Sequence, residues 1–330
     1  MKKYFIQTFG CQMNEADSEK IAAALEQQGH SITNNIDKAD VIVINTCSVR
    51  ESAENRVFGL INNLAKRKKA QKIIVTGCIL YHGISWLRKK MPKVDEFKPI
   101  KEFINSLTTY YSLPTTHFVP IMEGCDHFCS YCVVPYARGR ERSRPFEEIV
   151  CEVEELARRR YKEITLLGQN VNSYKPSFAK LLTVLHEIPG IKKISFMTSN
   201  PWDLTDEIIE AMKLPKIDRY LHLPVQSGDD KILQRMNRYY TANDYLNLVK
   251  KIRQKIPDIK IGTDIIVGFP EETEEQFQHT VDLCKKIGFV KAYIAKYSPR
   301  PGTVAYKLKD DVPYQEKKRR WKILEELINK

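Results

Sequence analysis

Two unbroken apolar runs, Val41-Ile42-Val43-Ile44 and Ile73-Ile74-Val75, each reach a cysteine three residues later, and this restricts the fold more than any other feature of the chain. A strand that is apolar on both faces belongs inside a parallel sheet with helices on either side. Residues 3–9 read as a third strand that reaches Gly10-Cys11. Helices are expected over 19–28, capped by Asp17 or Ser18 and closed by Gly29, and over 52–69, with the basic tail Lys66-Arg67-Lys68-Lys69. In an open parallel sheet the carboxyl ends of the strands share one edge, and ligands bind there. Cys11, Cys47 and Cys78, far apart in sequence, are therefore expected on one edge. Two readings stand: three buried structural thiols, or a three-cysteine site for an iron–sulfur cluster. Gly10, Thr46 and Gly77 before these cysteines describe turns rather than strand cores, which favours the second.

A second cysteine group is local. Cys125, Cys129 and Cys132 stand in a Cx3Cx2C spacing opened by Gly124. Thiolates on so short a loop can reach three corners of a four-iron cluster, which leaves the fourth iron open for chemistry. Zinc commonly takes four ligands from two separated pairs, and no second pair follows at such a spacing; His127 inside the loop would crowd the metal.

From residue 117 a second strand–helix series runs, with strands expected over 118–122, 163–167, 193–198, 219–223, 260–267 and 292–297. Helices are expected between them, over 146–160, 178–187, 204–212, 243–255 and 274–287. Six such strands describe a complete or partial barrel with its active groups at the strand C-termini. The segment 112–116, Ser-Leu-Pro-Thr-Thr, reads as a linker, with a domain boundary near 108–116. The 330 residues contain no run of eighteen apolar residues, and the N-terminus lacks a signal-peptide pattern. Eight cysteines in a chain expected in the reducing cytoplasm read as ligands rather than disulfides. The net charge of +12 points to a polyanionic partner, nucleic acid first.

The run from Cys125 to Arg144, CDHFCSYCVVPYARGRERSR, resembles the methylthiotransferase branch of the radical S-adenosylmethionine (SAM) enzymes, and most closely its tRNA-modifying members. GCQMN at 10–14, NTCSVR at 45–50 and TGC at 76–78 resemble the three motifs of that family's N-terminal domain. LLGQNVNSY, HLPVQSG, QRMNR, TDIIVGFP and YSPRPGT follow in the family's order, so the resemblance covers residues 3 to about 306. It implies an α/β chain: an open parallel-sheet (Rossmann/flavodoxin-like) domain over 1–112, then a radical SAM partial (β/α)6 barrel over 113–312. It also implies two 4Fe-4S clusters, an auxiliary one on Cys11, Cys47 and Cys78 and a SAM-binding one on Cys125, Cys129 and Cys132. SAM contacts are expected at Gln169, Gln226, Ser227, Val267 and Gly268, with Tyr131 beside the adenine. The implied reaction transfers CH3–S to C2 of N6-isopentenyladenosine, 3′ of the tRNA anticodon, with one SAM as methyl donor and a second as radical source. The implied setting is cytoplasmic and off the membrane, with a flavodoxin or ferredoxin-like electron donor and a monomeric enzyme.

Arg138, Arg140, Arg142 and Arg144 alternate after the cluster loop, and on an extended stretch they would face tRNA phosphates together. The competing reading pairs them with helix acids such as Glu147 and Glu148. The sequence departs from the family pattern at Asn200, where His is common, at Tyr239, where Gly follows MNR, and at Glu271. It ends at Lys330, inside a helical pattern (313–330) that begins near Tyr314, where the family normally continues into a small RNA-gripping β-barrel (TRAM) domain. Two rival functions remain: methylthiolation of threonylcarbamoyl-adenosine or of a ribosomal protein aspartate, and a non-catalytic iron–sulfur RNA-binding protein.

Overall fold

The computed structural model describes residues 1–49, 51–67, 70–105 and 117–330. They form two compact units, one of residues 1–120 with 136–139, the other of 121–135 with 140–330. The linker and boundary expected at 108–116, and Lys68 and Lys69 of the basic tail, lie outside the described residues.

The first unit is built on five parallel strands in the order β2-β1-β3-β4-β5. These are β1 (Lys3–Phe9), β2 (Ser31–Ile32), β3 (Val41–Thr46), β4 (Lys72–Gly77) and β5 (Glu96–Phe97). Helices α1 (Gln12–Gln27), α2 (Glu51–Ala65), α3 (Ile84–Lys90) and α4 (Ile100–Ile104) connect and cover them, and β6 (Phe118–Pro120) lies against α1. Every residue of β3 is buried, as its apolar run requires of a central strand. One face packs Ile42, Ile44, Ile73 and Val75 against Val57, Ile61 and Leu64 of α2; the other packs Val41, Val43 and Ile74 against Ile21 and Leu25 of α1.

The expected start of the first helix is corrected. It begins at Gln12, with Cys11 in the cap position, rather than at 19. Asp17 caps nothing: it forms a buried ion pair with Arg138, 2.8 Å away. Ser18 is held by Thr8 at 2.8 Å and by Asn45 at 2.9 Å. The helix does close before Gly29, whose φ of +80° suits a residue without a Cβ.

In the second unit, β7 (Met122–Glu123) and β8 (Arg142–Ser143) form an antiparallel ribbon around the cysteine loop and the short helix α5 (Val134–Arg138), whose end is grouped with the first unit. Then follow α6 (Phe146–Arg158), β9 (Glu163–Leu167), α7 (Phe178–Glu187), β10 (Lys193–Phe196), α8 (Asp206–Ala211), β11 (Tyr220–His222), α9 (Asp230–Arg235), α10 (Ala242–Lys255), β12 (Lys260–Val267), α11 (Glu274–Ile287), β13 (Lys291–Lys296) and α12 (Tyr314–Ile328). Strands β9 and β10 are parallel, as are β11, β12 and β13. A parallel bridge from Ile194 to Ile217 continues the row between the two sets, which makes a partial barrel. The strand expected over 118–122 is split: Phe118–Pro120 belongs with the first unit, and the Ile121 amide donates to the Leu167 carbonyl of β9 at 2.9 Å.

Helix α12 is fastened behind β12 and β13 by buried charges. The Arg320 guanidinium meets the Glu272 carboxylate and the Glu272 carbonyl, both at 2.9 Å, while that carboxylate also accepts the Gly268 amide at 2.6 Å. Lys317 donates to the Tyr297 carbonyl at 3.1 Å. Breaking a buried ion pair from one side leaves an uncompensated charge. Arg320→Ala is expected to lower stability by about 3–5 kcal/mol in urea unfolding, whereas truncating exposed Lys322 on the same helix should shift it little.

Candidate functional site: two thiol clusters

In the first unit the three strand-end cysteines come together on the carboxyl edge of the sheet. The Cys47 thiol lies between Cys11 and Cys78 within hydrogen-bonding reach of both, and this holds Cys11 and Cys78 below the usual thiol range while pushing Cys47 up. The Arg138 guanidinium, paired with Asp17, adds a further downward pull on Cys11 and Cys78. Backbone fit explains the glycines. A Cβ on Gly10 would lie 2.8 Å from the Cys47 Cβ, and one on Gly77, at φ +92°, would run into the Thr46 backbone and the Asn45 side chain. Below the thiols, Asn45 donates to the Asn14 carbonyl at 2.8 Å and accepts from the Asn14 amide at 3.1 Å, so no buried amide is left over.

Two of the cysteine-bearing loops are tied by one carboxylate. Glu54 of α2 accepts from Ser48, next to Cys47, and from His82, in the turn that starts at Cys78, with His82 Nε2 at 2.9 Å. His82 is also stacked on Trp86, with ring centres 4.4 Å apart. The sequence reading did not single out Glu54 or His82, because nothing in a helical Glu marks it as buried.

In the second unit Cys125, Cys129 and Cys132 share one loop. Burial pushes the Cys125 thiol up to about 11 and Cys132 to about 12, with each neighbouring cysteine adding to the rise. The loop is pinned by side chains from elsewhere in this unit. Gln169 accepts the Gly124 amide at 2.5 Å, and Asn237 donates to the Phe128 carbonyl at 3.0 Å. His127 shares the Asp203 carboxylate (2.9 Å) with Asn170 (2.6 Å). Buried Arg238 places one nitrogen 3.5 Å from the Cys129 sulfur and another 3.0 Å from the Pro224 carbonyl. Arg238 lies in the QRMNR segment, where nothing in the sequence marks it as buried.

Among the described residues no three His, Cys, Asp or Glu side chains close around a single metal ion. A four-iron cluster is a larger body whose ligands are all thiolates, and each set here is three cysteines with a buried cation beside it. Cys151, on the surface of α6, and Cys284, buried in α11, belong to neither set.

The other expected SAM contacts are distributed unevenly. Tyr131 packs against a cluster that includes Ile232, Met236, Phe269 and Tyr297. Gln226 is buried in the turn that follows β11, with a left-handed φ of +68°, a strained conformation that functional sites often carry. The Ser227 hydroxyl accepts from the Asp229 amide, the Gly268 amide is taken by Glu272, and Val267 is fully buried. The arginine row is also corrected. Residues 134–138 form a helix, so the four side chains do not line one edge. Arg138 is committed to Asp17, and Arg144 is paired with Glu152 at 2.7 Å. Arg140 and Arg142 remain 69% and 58% exposed, paired with the exposed acids Asp126 and Glu123.

Residues 119–284 match the Radical SAM superfamily, and residues 3–97 match Uncharacterized protein family UPF0004. A tRNA-2-methylthio-N(6)-dimethylallyladenosine synthase of Dehalococcoides mccartyi (strain CBDB1) is 46% identical over 348 residues, covering 99% of this chain and 82% of the relative. One from Clostridium tetani is 45% identical over 366 residues, with 99% and 81% covered. The chain belongs to the radical SAM tRNA methylthiotransferase family. As a family member it is a transferase whose cofactors are SAM and 4Fe-4S iron–sulfur clusters. The fold is shared more widely. The radical SAM methyltransferase TsrM of Kitasatospora setae, solved with cobalamin and a 4Fe-4S cluster, superposes with a TM-score of 0.69 at 13% identity, covering 92% of this chain and 74% of that one.

For this methylthiotransferase the carboxylate tie is a positioning device. Glu54→Ala is expected to speed hydrogen exchange at residues 47–49 and 78–82 by about tenfold or more, as buried Ser48 and His82 lose their partner. The strands β1 and β3 should keep their protection.

Proposed function

We propose that this chain converts N6-isopentenyladenosine, 3′ of the tRNA anticodon, to its 2-methylthio derivative. The observation that carries the reading is the pair of three-cysteine sets, one at a sheet edge and one on a Cx3Cx2C loop, in a chain that shares 44–46% identity with enzymes bearing that name. The substrate is taken from those names and the cysteine roles from the family resemblance; the convergence of three thiols in each unit supports them. Cys125, Cys129 and Cys132 would hold the SAM-binding cluster, which would supply the electron for reductive cleavage of SAM. Cys11, Cys47 and Cys78 would hold the auxiliary cluster, which would supply the sulfur to be methylated.

This chain's own residues bind and orient. Arg238 supplies positive charge beside Cys129, and Arg138 does so beside Cys11 and Cys78, offsetting the cost of placing thiolates in a buried site. Gln169 and Asn237 fix the two sides of the SAM-cluster loop. Tyr131, Gln226 and the backbone at Val267-Gly268 line the expected SAM side, and Ser227 shapes its turn. Arg140 and Arg142 are the two arginines of their row left exposed enough to meet tRNA phosphates. The reductant is a flavodoxin or ferredoxin-like carrier, and the enzyme works as a cytoplasmic monomer, where tRNA and SAM both reside. Among the described residues no helix is long and apolar enough to cross a membrane.

Reconstituted anaerobically, the protein is expected to carry about eight irons. Cys129→Ala should abolish 5′-deoxyadenosine release from SAM. Cys47→Ala should retain that release and yield no methylthio nucleoside. Nucleoside mass spectrometry of tRNA from cells with and without the gene reads the substrate directly. A methylthio mark missing from threonylcarbamoyl-adenosine instead, or full product from Cys47→Ala, would overturn the assignment.

A further inference from the structure

An aromatic shelf with one exposed ring, Tyr239, stands beside the SAM-cluster loop. Asn237 takes a left-handed φ of +57°, a conformation open to Asn at little cost, and the turn sends the next two side chains in opposite directions. Arg238 goes inward and is 7% exposed; Tyr239 goes outward and is 63% exposed. The Tyr239 ring meets the Trp202 ring edge to face, with centres 5.3 Å apart and planes at 72°. Trp202 is fixed from behind: the Arg238 guanidinium lies 4.5 Å from its ring centre, and His127 meets it at 4.7 Å and 84°. His127 is in turn anchored on Asp203. The shelf therefore has a rigid back and one open ring. Next to it, the exposed Arg140 guanidinium lies 5.3 Å from the Phe128 ring, and Asn237 joins the two parts by donating to both the Phe128 carbonyl and the Tyr239 hydroxyl.

We propose that Tyr239, backed by Trp202 and His127, stacks an unpaired base of the RNA substrate beside the SAM-cluster loop, with Arg140 meeting an adjacent phosphate. This rests on the tRNA reading and adds to it a recognition element within the second unit. The chemistry argues for a nucleobase. An exposed, pre-positioned aromatic face next to a cation is what single-stranded nucleic acid requires, because every base has a face to stack. An apolar protein surface would gain nothing from Arg140, whereas a polyanion suits a chain of net charge +12.

The test uses the full chain with both clusters reconstituted, and an anticodon stem-loop RNA carrying N6-isopentenyladenosine. Tyr239→Ala is expected to weaken RNA binding by about five- to a hundredfold, with 5′-deoxyadenosine release in the absence of RNA unchanged. Tyr239→Phe keeps the ring face and should stay within about twofold of wild type. Three results would overturn the shelf: RNA affinity unchanged in Tyr239→Ala, equal losses in the Phe and Ala variants, or a loss of SAM affinity in place of RNA affinity. If wild type modifies the RNA and Tyr239→Ala does so with the same KM, the shelf alone fails. If wild type neither binds nor modifies it, the tRNA reading fails and the shelf falls with it.

Discussion

Thiols that are to ionise in a protein interior need positive charge nearby, and each unit of this chain commits one buried arginine to that task. A desolvated thiolate is costly, and a guanidinium is the side chain that stays charged when buried. In the first unit Arg138 reaches the strand-end cysteines and is itself balanced by Asp17. In the second, Arg238 touches Cys129 and is held by the Pro224 carbonyl and the Tyr240 hydroxyl. Much of the surrounding structure follows from keeping these cations in place. Asp17 is buried in mid-helix because of the first, and the left-handed turn at Asn237 aims the second.

The parallel sheet and the partial barrel were legible in the sequence because their signals are local. The continuous apolar runs at 41–44 and 73–75 could only be central strands, and β9, β12 and α11 have the bounds their patterns imply. What failed to show were features decided by partners distant in sequence. Asp17 and Ser18 look like cap residues, and only the approach of Arg138, Thr8 and Asn45 lets them sit inside a helix. The two-residue strands β2 and β5 carry too little pattern to be read. Helix α5, with Pro135 in its first turn, looked like extended chain, and so the arginine row after it was given an alternation it does not have.

The cysteines illustrate the same division. Cys125, Cys129 and Cys132 announce themselves by spacing alone. Cys11, Cys47 and Cys78 can be grouped only by first predicting a parallel sheet and then asking which ends share an edge. The roles of the residues that support one group or the other, Glu54, Asn14 and Asn45 in the first unit and Arg238 in the second, could not be read at that level, since they depend on burial and on contacts across the fold.

The different origins of the two sets have a consequence for assembly. A loop with all its ligands within eight residues can capture iron before the rest of its unit has folded. The sheet-edge set does not exist until three strands have paired, so its affinity for a cluster is tied to the stability of the whole first unit. If the sheet-edge set holds the sulfur-donating cluster as proposed, damage to that sheet, however far from any cysteine, would leave a chain that still matures one centre, able to cleave SAM without a sulfur to deliver.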